Sequence, residues 1–388
     1  MNRDTLKDGL LRELALRIDD RADQADRQSL HNLSNAFYTR FPVEDMRGRS
    51  VENLYGCLYG LLRFMQTWSE SSPKIRIFNP EIQHHGWESK YTTLVILCRG
   101  IPFTMASMRG ELNRRGLRIH TIASSNLSVS RDEEGELRAV LSEDNGDHAS
   151  EPGEALLFFE LGRHSRPDEL VELRETLSSI LGEVSLVVDD FPAMCERLQQ
   201  AVDDIGASEC VDRSHREEAA AFLGWLERDH MTMLGYEYLK VKRSGSTTRI
   251  KVSGSTSLGL LRQRKTRGVQ DLQHDIEHLS LEQMHHKQLS FSKSRGRSRV
   301  HRLTYPDYVE IKVFDEAGEV VGQHRFIGLY TSSVYTMNPS LIPILRRKVE
   351  QVMELSDLEW AAHESREMIR VLEGFPRDEL FQSSVREL

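Results

Sequence analysis

Two stretches hold residue types that could do chemistry. His274 and His278 stand four apart, with Asp275 between them and His285 and His286 following. On a helix that spacing puts two imidazoles on one face, which is how a metal pair begins. The stretch around them is polar all round, so the histidines read as a solvated helical face rather than as ligands. The second stretch is KSRGRSRVHR at 293–302, where Arg295, Arg297 and Arg299 recur at the strand period. Their guanidinium groups could share one side and fork onto a carboxylate or phosphate. The same pattern suits an exposed edge strand protected by its charge. Extended nucleic-acid binding needs aromatic platforms among such charges, and none stands here before Tyr305.

Other chemistries lack their residues. No GxGxxG follows a strand into a helix, Gly254 and Gly259 lie in SGSTSLGLL without that spacing, and no GxxxxGK[ST] occurs. The four cysteines, Cys57, Cys98, Cys195 and Cys210, are far apart with no CxxC, so they read as reduced, buried thiols. No convergent acid, base or nucleophile set is found.

The elements that must position these residues are legible from periodicity. From 6 to 68, apolar residues recur at three and four (Leu6, Leu10, Leu14; Leu54, Leu58, Leu61, Met65), punctuated by Pro42 and Pro73, which predicts two or three amphipathic helices. Their leucine rows are too short for a zipper and read as packing faces. Next, 91–131 predicts a strand on TTLVILC, a helix over 103–115 ended by Gly116, and a strand over 117–123. A strand over 137–141, an acidic glycine-bearing loop, a strand over 155–162 and a helix over 167–181 follow. The order β-α-β-β-β-α suits a split βαβ sandwich. A helix over 190–205 reads as a link.

From 214 the pattern restarts. A helix to 228, strands over 231–242 and 248–252, a polar helical middle, and strands over 289–293, 308–314 and 320–330 are expected. The run TYPDYVEIKVFDEAGEVVGQHRFIGLYTSSVY at 304–335 is a hairpin, with apolar Val309, Ile311 and Val313 before the turn 315–318 and Val320 and Val321 after it. Two strands, helices and three antiparallel strands is the order of a sensor fold of the PAS type. Helices over 339–355 and 363–373 close the chain.

Bulk properties bound the class. A chain of 388 residues predicts two or three domains. With 51 basic and 60 acidic residues, interspersed, the formal charge is -9, which predicts a soluble protein with no nucleic-acid partner. The first residues, MNRDTLKDGLLRELALRIDD, lack a signal-peptide core, and no apolar run approaches the ~20 residues a bilayer needs. A cytoplasmic chain without membrane contact is expected.

Five segments carry a resemblance: PFTMASMRGELNRRGLRIHTIASSNLSVSRDEEGEL, FLGWLERDHMTMLGYEYLKV, GRSRVHRLTYPDYVEIKVFDEAGEVVGQHRFIGLYTSSVY, IPILRRKVEQVME and FPRDELFQ. In this order they resemble the N-terminal region of the large bacterial NAD-dependent glutamate dehydrogenases. The resemblance implies an α+β chain: a helical N-terminal lead at 1–72, an ACT-like split βαβ domain at 73–205, and at 206–388 a PAS-like five-stranded antiparallel sheet with flanking C-terminal helices. It implies a fragment or shortened relative of a longer enzyme, since nothing here matches the Rossmann domain and catalytic lysine of the family's core. No cofactor is then expected in this chain, NAD is implied for the whole enzyme, and the chain alone is expected to be inactive. Implied partners are its own catalytic region, other subunits of a homo-oligomer, and a small-molecule effector.

Amino-acid-binding ACT domains carry an acidic residue and a glycine at the turn between first strand and first helix. In the dehydrogenase family that turn reads Asp-Met-Pro-Phe. Here it is Arg99-Gly100-Ile101-Pro102-Phe103, with Pro102 and Phe103 matching and Gly100 at the acidic position. That departure favours packing or subunit contact at this turn. If a sensing surface exists, Gly100, Ile101, Pro102 and Phe103 with Arg297, Arg299, His301 and Arg302 are its candidates. Allosteric regulation and assembly are the expected roles, with purely structural subunit interaction as the alternative.

Overall fold

The computed structural model describes residues 3–142, 153–244, 247–253, 256–262, 269–356 and 363–388. Its contacts divide the chain into two compact units, Met1–Ser185 with Arg299–Leu303, and Leu186–Ser298 with Thr304–Leu388.

The first unit opens with four helices, α1 (Arg3–Arg21), α2 (Gln24–Tyr38), the short α3 (Val43–Met46) and α4 (Val51–Met65). Ser50 caps α4 by accepting the Asn53 N–H at 3.2 Å. Leu14, Ile18, Leu30, Leu33, Leu54, Leu58 and Leu61, spaced by three and four, are all buried, so the leucine rows are packing faces. Then come β1 (Lys74–Phe78), α5 (Ile82–His85), β2 (Thr92–Arg99), α6 (Thr104–Arg114), β3 (Ile119–Leu127), β4 (Val129–Arg131), β5 (Leu137–Val140), β6 (Glu154–Leu161) and α7 (Pro167–Asp189).

The sheet order is β1-β2-β6-β3. Strands β2 and β3 each pair antiparallel with β6, so they run parallel to one another and are joined over α6, which is a split βαβ arrangement. Val95, Phe158 and Ala123 form one cross-strand row facing the helices, and the Phe158 ring meets Phe37 of α2 edge-on at 5.4 Å. Their neighbours Leu94, Ile96, Leu157 and Phe159, on the opposite face, are buried too. Burial on both faces is why these strands read as continuous apolar runs.

Two elements differ from expectation. The edge strand β1 has no sequence prediction, since KIRIF alternates charge and apolar side chains over only five residues. The strand expected at 137–141 is β5, which pairs with β4 in a separate ribbon rather than in the sheet. Gly135, at φ 81, turns this ribbon. Its backbone is tied to the end of α4, with the Leu137 N–H on the Gln66 carbonyl at 2.7 Å and the Trp68 N–H on the Gly135 carbonyl at 3.1 Å. The acidic loop expected before β6 falls on 143–152, outside the described residues.

The second unit contains α8 (Phe191–Ala207), α9 (Arg213–Trp225), β7 (Met231–Ser244), β8 (Thr247–Val252), β9 (Leu258–Gly259), α10 (Val269–His278), α11 (Leu281–His286), β10 (Leu289–Lys293), β11 (Asp307–Phe314), β12 (Val320–Tyr330), α12 (Ser332–Thr336), α13 (Leu345–Leu355), α14 (His363–Gly374) and α15 (Arg377–Gln382). Its antiparallel path runs β10-β11-β12-β7-β8, with the two-residue β9 added beside β7. Met194 and Leu198 of α8 and Phe222 and Leu223 of α9 share one core with Met233, Tyr236, Val309, Ile311 and Phe326 of the sheet. Around Leu239 a smaller cluster holds Leu272, Met284, Phe314 and Val320.

The expected hairpin is β11-β12. Asp315 organises its turn, its Oδ1 accepting the Ala317 and Glu319 N–H groups at 3.0 and 2.9 Å, and Gly318 takes φ 77. The helix expected over 339–355 begins six residues later, at Leu345. Pro343 disfavours a helical backbone at the residue before it, and Ile344 at φ 71 breaks the helix path. His274 and His278 are exposed with rings 4.7 Å apart, while Asp275 pairs with Lys312 at 2.8 Å. Gly254 of SGSTSLGLL lies outside the described residues. Among the described residues no helix is long and apolar enough to cross a membrane.

Candidate functional site

The turn at 100–103 ends β2 and starts α6. The Gly100 N–H donates to the Gly153 carbonyl at 2.6 Å, and a Cβ on Gly100 would lie 2.7 Å from that oxygen. Only glycine fits this approach. The Ile101 carbonyl accepts the Thr104 hydroxyl at 2.9 Å, and Pro102 is exposed. Phe103 holds a left-handed backbone, φ 69, ahead of the helix, a conformation unfavourable to a side chain. Its carbonyl accepts both the Ser107 N–H at 2.9 Å and the Ser107 hydroxyl at 2.7 Å.

The arginine-rich segment is not a strand. Between β10 and β11 the chain is irregular, so the strand-period alternation of Arg295, Arg297 and Arg299 does not place them on one side of a ladder. Its five residues Arg299–Leu303 group with the first unit. Arg299 donates to the Ser179 hydroxyl at 3.2 Å and pairs with Glu183, both on α7. Val300 is fully buried. His301 takes φ 66, donates its N–H to the Ser107 hydroxyl at 2.9 Å, and lays its ring 4.9 Å from the Phe103 ring. The Arg302 N–H closes a tight turn onto the Val300 carbonyl at 2.9 Å. Arg297, in the second unit, sits over the Tyr305 ring at 5.2 Å.

The structure therefore brings Phe103 and His301 together and gives Arg299 and Arg297 separate tasks. Ser107, 1% exposed, is the hinge of the arrangement: its hydroxyl donates to Phe103 and accepts from His301. It has no sequence signal, because a serine inside a helix is ordinary. Burial, helped by the neighbouring Arg302 cation, lowers the pKa of His301 from its ordinary value, favouring a neutral ring; its Nδ1 is buried without a partner among the described residues. Chemically this is a closed contact, ring on ring and amide on hydroxyl.

Comparison with known proteins gives these elements a setting. Residues 33–177 match the ACT1 domain of glutamate dehydrogenase, and residues 342–388 match its helical motif 1. A NAD-specific glutamate dehydrogenase of Halomonas elongata is 36% identical over 385 residues, 98% of this chain and 24% of that protein. One of Pseudomonas aeruginosa is 35% identical over 354 residues, 91% of this chain and 22% of that protein. One of Mycobacterium tuberculosis is 24% identical over 286 residues, 73% of this chain and 16% of that protein. The chain thus spans about a quarter of the length of the Halomonas and Pseudomonas relatives. Over nearly its whole length it is a relative of the NAD-specific glutamate dehydrogenases and carries a match to their ACT1 domain, as the five sequence segments implied.

Proposed function

We propose that this chain is the non-catalytic N-terminal regulatory and assembly region of an NAD-dependent glutamate dehydrogenase. The whole enzyme would convert L-glutamate, NAD and water to 2-oxoglutarate, ammonium and NADH in the cytoplasm, its NAD bound by a catalytic region outside this sequence. Partners would be that region, further subunits of a homo-oligomer and a small-molecule effector. The observation that carries the reading is the ACT1 match over a split βαβ fold. We read residues 1–72 as the helical lead, 73–205 as ACT-like and 206–388 as PAS-like with its C-terminal helices; the strand path β10-β11-β12-β7-β8, two strands followed by helices and three more strands, supports the last.

Within this reading the turn at 100–103 is a packing turn. An effector seated there would have to displace His301 from Phe103, and a ligand can shift such an arrangement only by binding the opened form better. Purified chain supplied with L-glutamate and NAD is expected to form no NADH. Glutamate-dependent NADH formation by this chain alone would overturn the proposal.

A purely structural role in holding subunits together has one observation in its favour. Leu355 and Val371, at 69% and 63% exposure, leave apolar side chains uncovered within the residues that match helical motif 1, and Leu341, at 70%, does so just before them. Light scattering decides it: a strictly monomeric chain with no affinity for the rest of the enzyme would sink that role.

A further inference from the structure

We propose that the outer edge of the second unit's sheet takes up an extended segment of another protein chain, one in which acidic and apolar residues alternate, as a further antiparallel strand beside β8. Strand β8 ends the path β10-β11-β12-β7-β8, whose pairings are all antiparallel, and among the described residues it pairs only with β7. The Ser253 N–H, just past β8, donates to the Tyr238 carbonyl at 3.0 Å, and the register runs unshifted from there through the strand. That phase turns the backbone N–H and C=O groups of Arg249 and Lys251 toward β7 and those of Thr248, Ile250 and Val252 away from it. The outward groups meet no partner among the described residues, so this stretch of ladder stands open.

The two faces of that edge ask for different residues. On one face Lys240 stands directly opposite Lys251 and Lys242 opposite Arg249, a block of four cations on neighbouring strands. All four are exposed and none forms an ion pair among the described residues, whereas Arg243, on the other face, pairs with Glu319. Charge on β8 alone would blunt the edge. Here the inner strand carries it too, directly opposite, where like charges destabilise a sheet, and it does so in a chain of formal charge -9. An anionic occupant offsets that repulsion. On the other face Ile250 and Val252 are half-buried, packed with Val241 against the cluster of Leu239 and Leu272. A strand laid beside β8 would extend that apolar row. Cationic and apolar side chains alternate residue by residue along β8, so the matching partner has the same period of two, with carboxylates beside Arg249 and Lys251 and apolar side chains beside Ile250 and Val252. A phosphate or a nucleic acid would meet the cations and leave the open ladder and the apolar row unused.

The experiment is fluorescence anisotropy of labelled synthetic peptides titrated with the whole chain. One peptide alternates Glu and Val over about seven residues, the length of a short strand. A second has the same composition with its glutamates in one block. A third alternates but is N-methylated at its valines, whose amides would face Ile250 and Val252. The alternating peptide is expected to bind at one site per chain, at least about tenfold more tightly than either altered peptide. The double variant Lys242→Ser with Arg249→Ser is expected to bind it at least about tenfold more weakly. That variant should melt no lower than the parent, because it removes two cations that face one another. No saturable binding of the alternating peptide up to about 1 mM, equal binding of either altered peptide, or an unchanged affinity in the variant would each overturn strand addition at this edge. So would inorganic triphosphate binding as tightly as the alternating peptide, since charge alone would then account for the block.

Discussion

Phe103→Ala and Phe103→Gly separate contact from strain at the turn against Arg299–Leu303. Both remove a half-buried ring lying 4.9 Å from His301. The aromatic contact is worth about 0.5–1.5 kcal/mol and the lost apolar burial about 1–2 kcal/mol more. Alanine keeps a Cβ at φ 69 and the left-handed penalty of about 1–2 kcal/mol with it. Glycine escapes that penalty but gives up about 0.5–1 kcal/mol of backbone entropy. The glycine variant should therefore be the more stable of the two by about 0.5–1 kcal/mol, reversing the usual order of these residues. That difference is about 1–4 °C in melting temperature for a unit of this size. Urea and thermal unfolding of both variants measure it. An alanine variant as stable as the glycine variant, or more so, would refute the left-handed backbone at 103 and with it the strained contact to His301.

Two further predictions concern the second unit. Burial raises the Asp307 carboxyl from 3.8 to about 6, opposed by the Lys293 ammonium at 2.9 Å. The folded state then holds this proton more tightly than the unfolded one, so Asp307 withdraws stability as pH rises from about 4 to about 6, by up to about 3 kcal/mol. The melting temperature of Asp307→Asn relative to the parent should climb over that window; a flat difference would refute the shift. Asp378 shares the same ammonium and its carboxyl is held below the usual range, so its own effect falls at lower pH. The second concerns Arg325, 2% exposed, which pairs with Glu310 at 2.6 Å and Glu237 at 3.3 Å along one cross-strand row. Arg325→Met strands both carboxylates and should cost about 3–5 kcal/mol in denaturant unfolding. Glu237→Gln should cost much less, because burial already raises the pKa of that carboxyl; equal losses would refute the ranking.

Legibility followed the range of the interactions that decide each element. TTLVILC and the hairpin over β11 and β12 were readable because burial on both faces, and a turn closed by Asp315 and Gly318, write themselves into neighbouring residues. Helix α13 was misjudged at its start even though Pro343 is legible in the sequence; what is not legible is the distant anchor, Glu218 of α9, which accepts the Ile344 N–H at 2.7 Å and the Arg346 guanidinium at 2.6 Å. The arginine row misled for the same reason. Arg297 and Arg299 recur at a strand period, yet one partner is Tyr305 and the other Glu183, and no local pattern encodes Glu183, 116 residues away.

Gly100 shows how a single departure can be read physically. By the family resemblance an acidic residue stands here, and its loss suggests a lost ligand contact. The backbone gives a more direct cause, since a Cβ at this position would lie 2.7 Å from the Gly153 carbonyl that the Gly100 N–H already engages. Any residue with a side chain would have to push β2 and the start of β6 apart. The closure at Gly100 also constrains the entry into the helix. With the strand end fixed, Phe103 is left to start α6 from a left-handed backbone, and Ser107 satisfies its carbonyl. His301, equally left-handed, uses the same hydroxyl. Two residues in unfavourable conformations persist only where surrounding contacts over-determine them. Here those contacts are the buried Val300, the Arg299 pair with Glu183, and the shared Ser107, so a small group that reached this turn would meet protein already in its place.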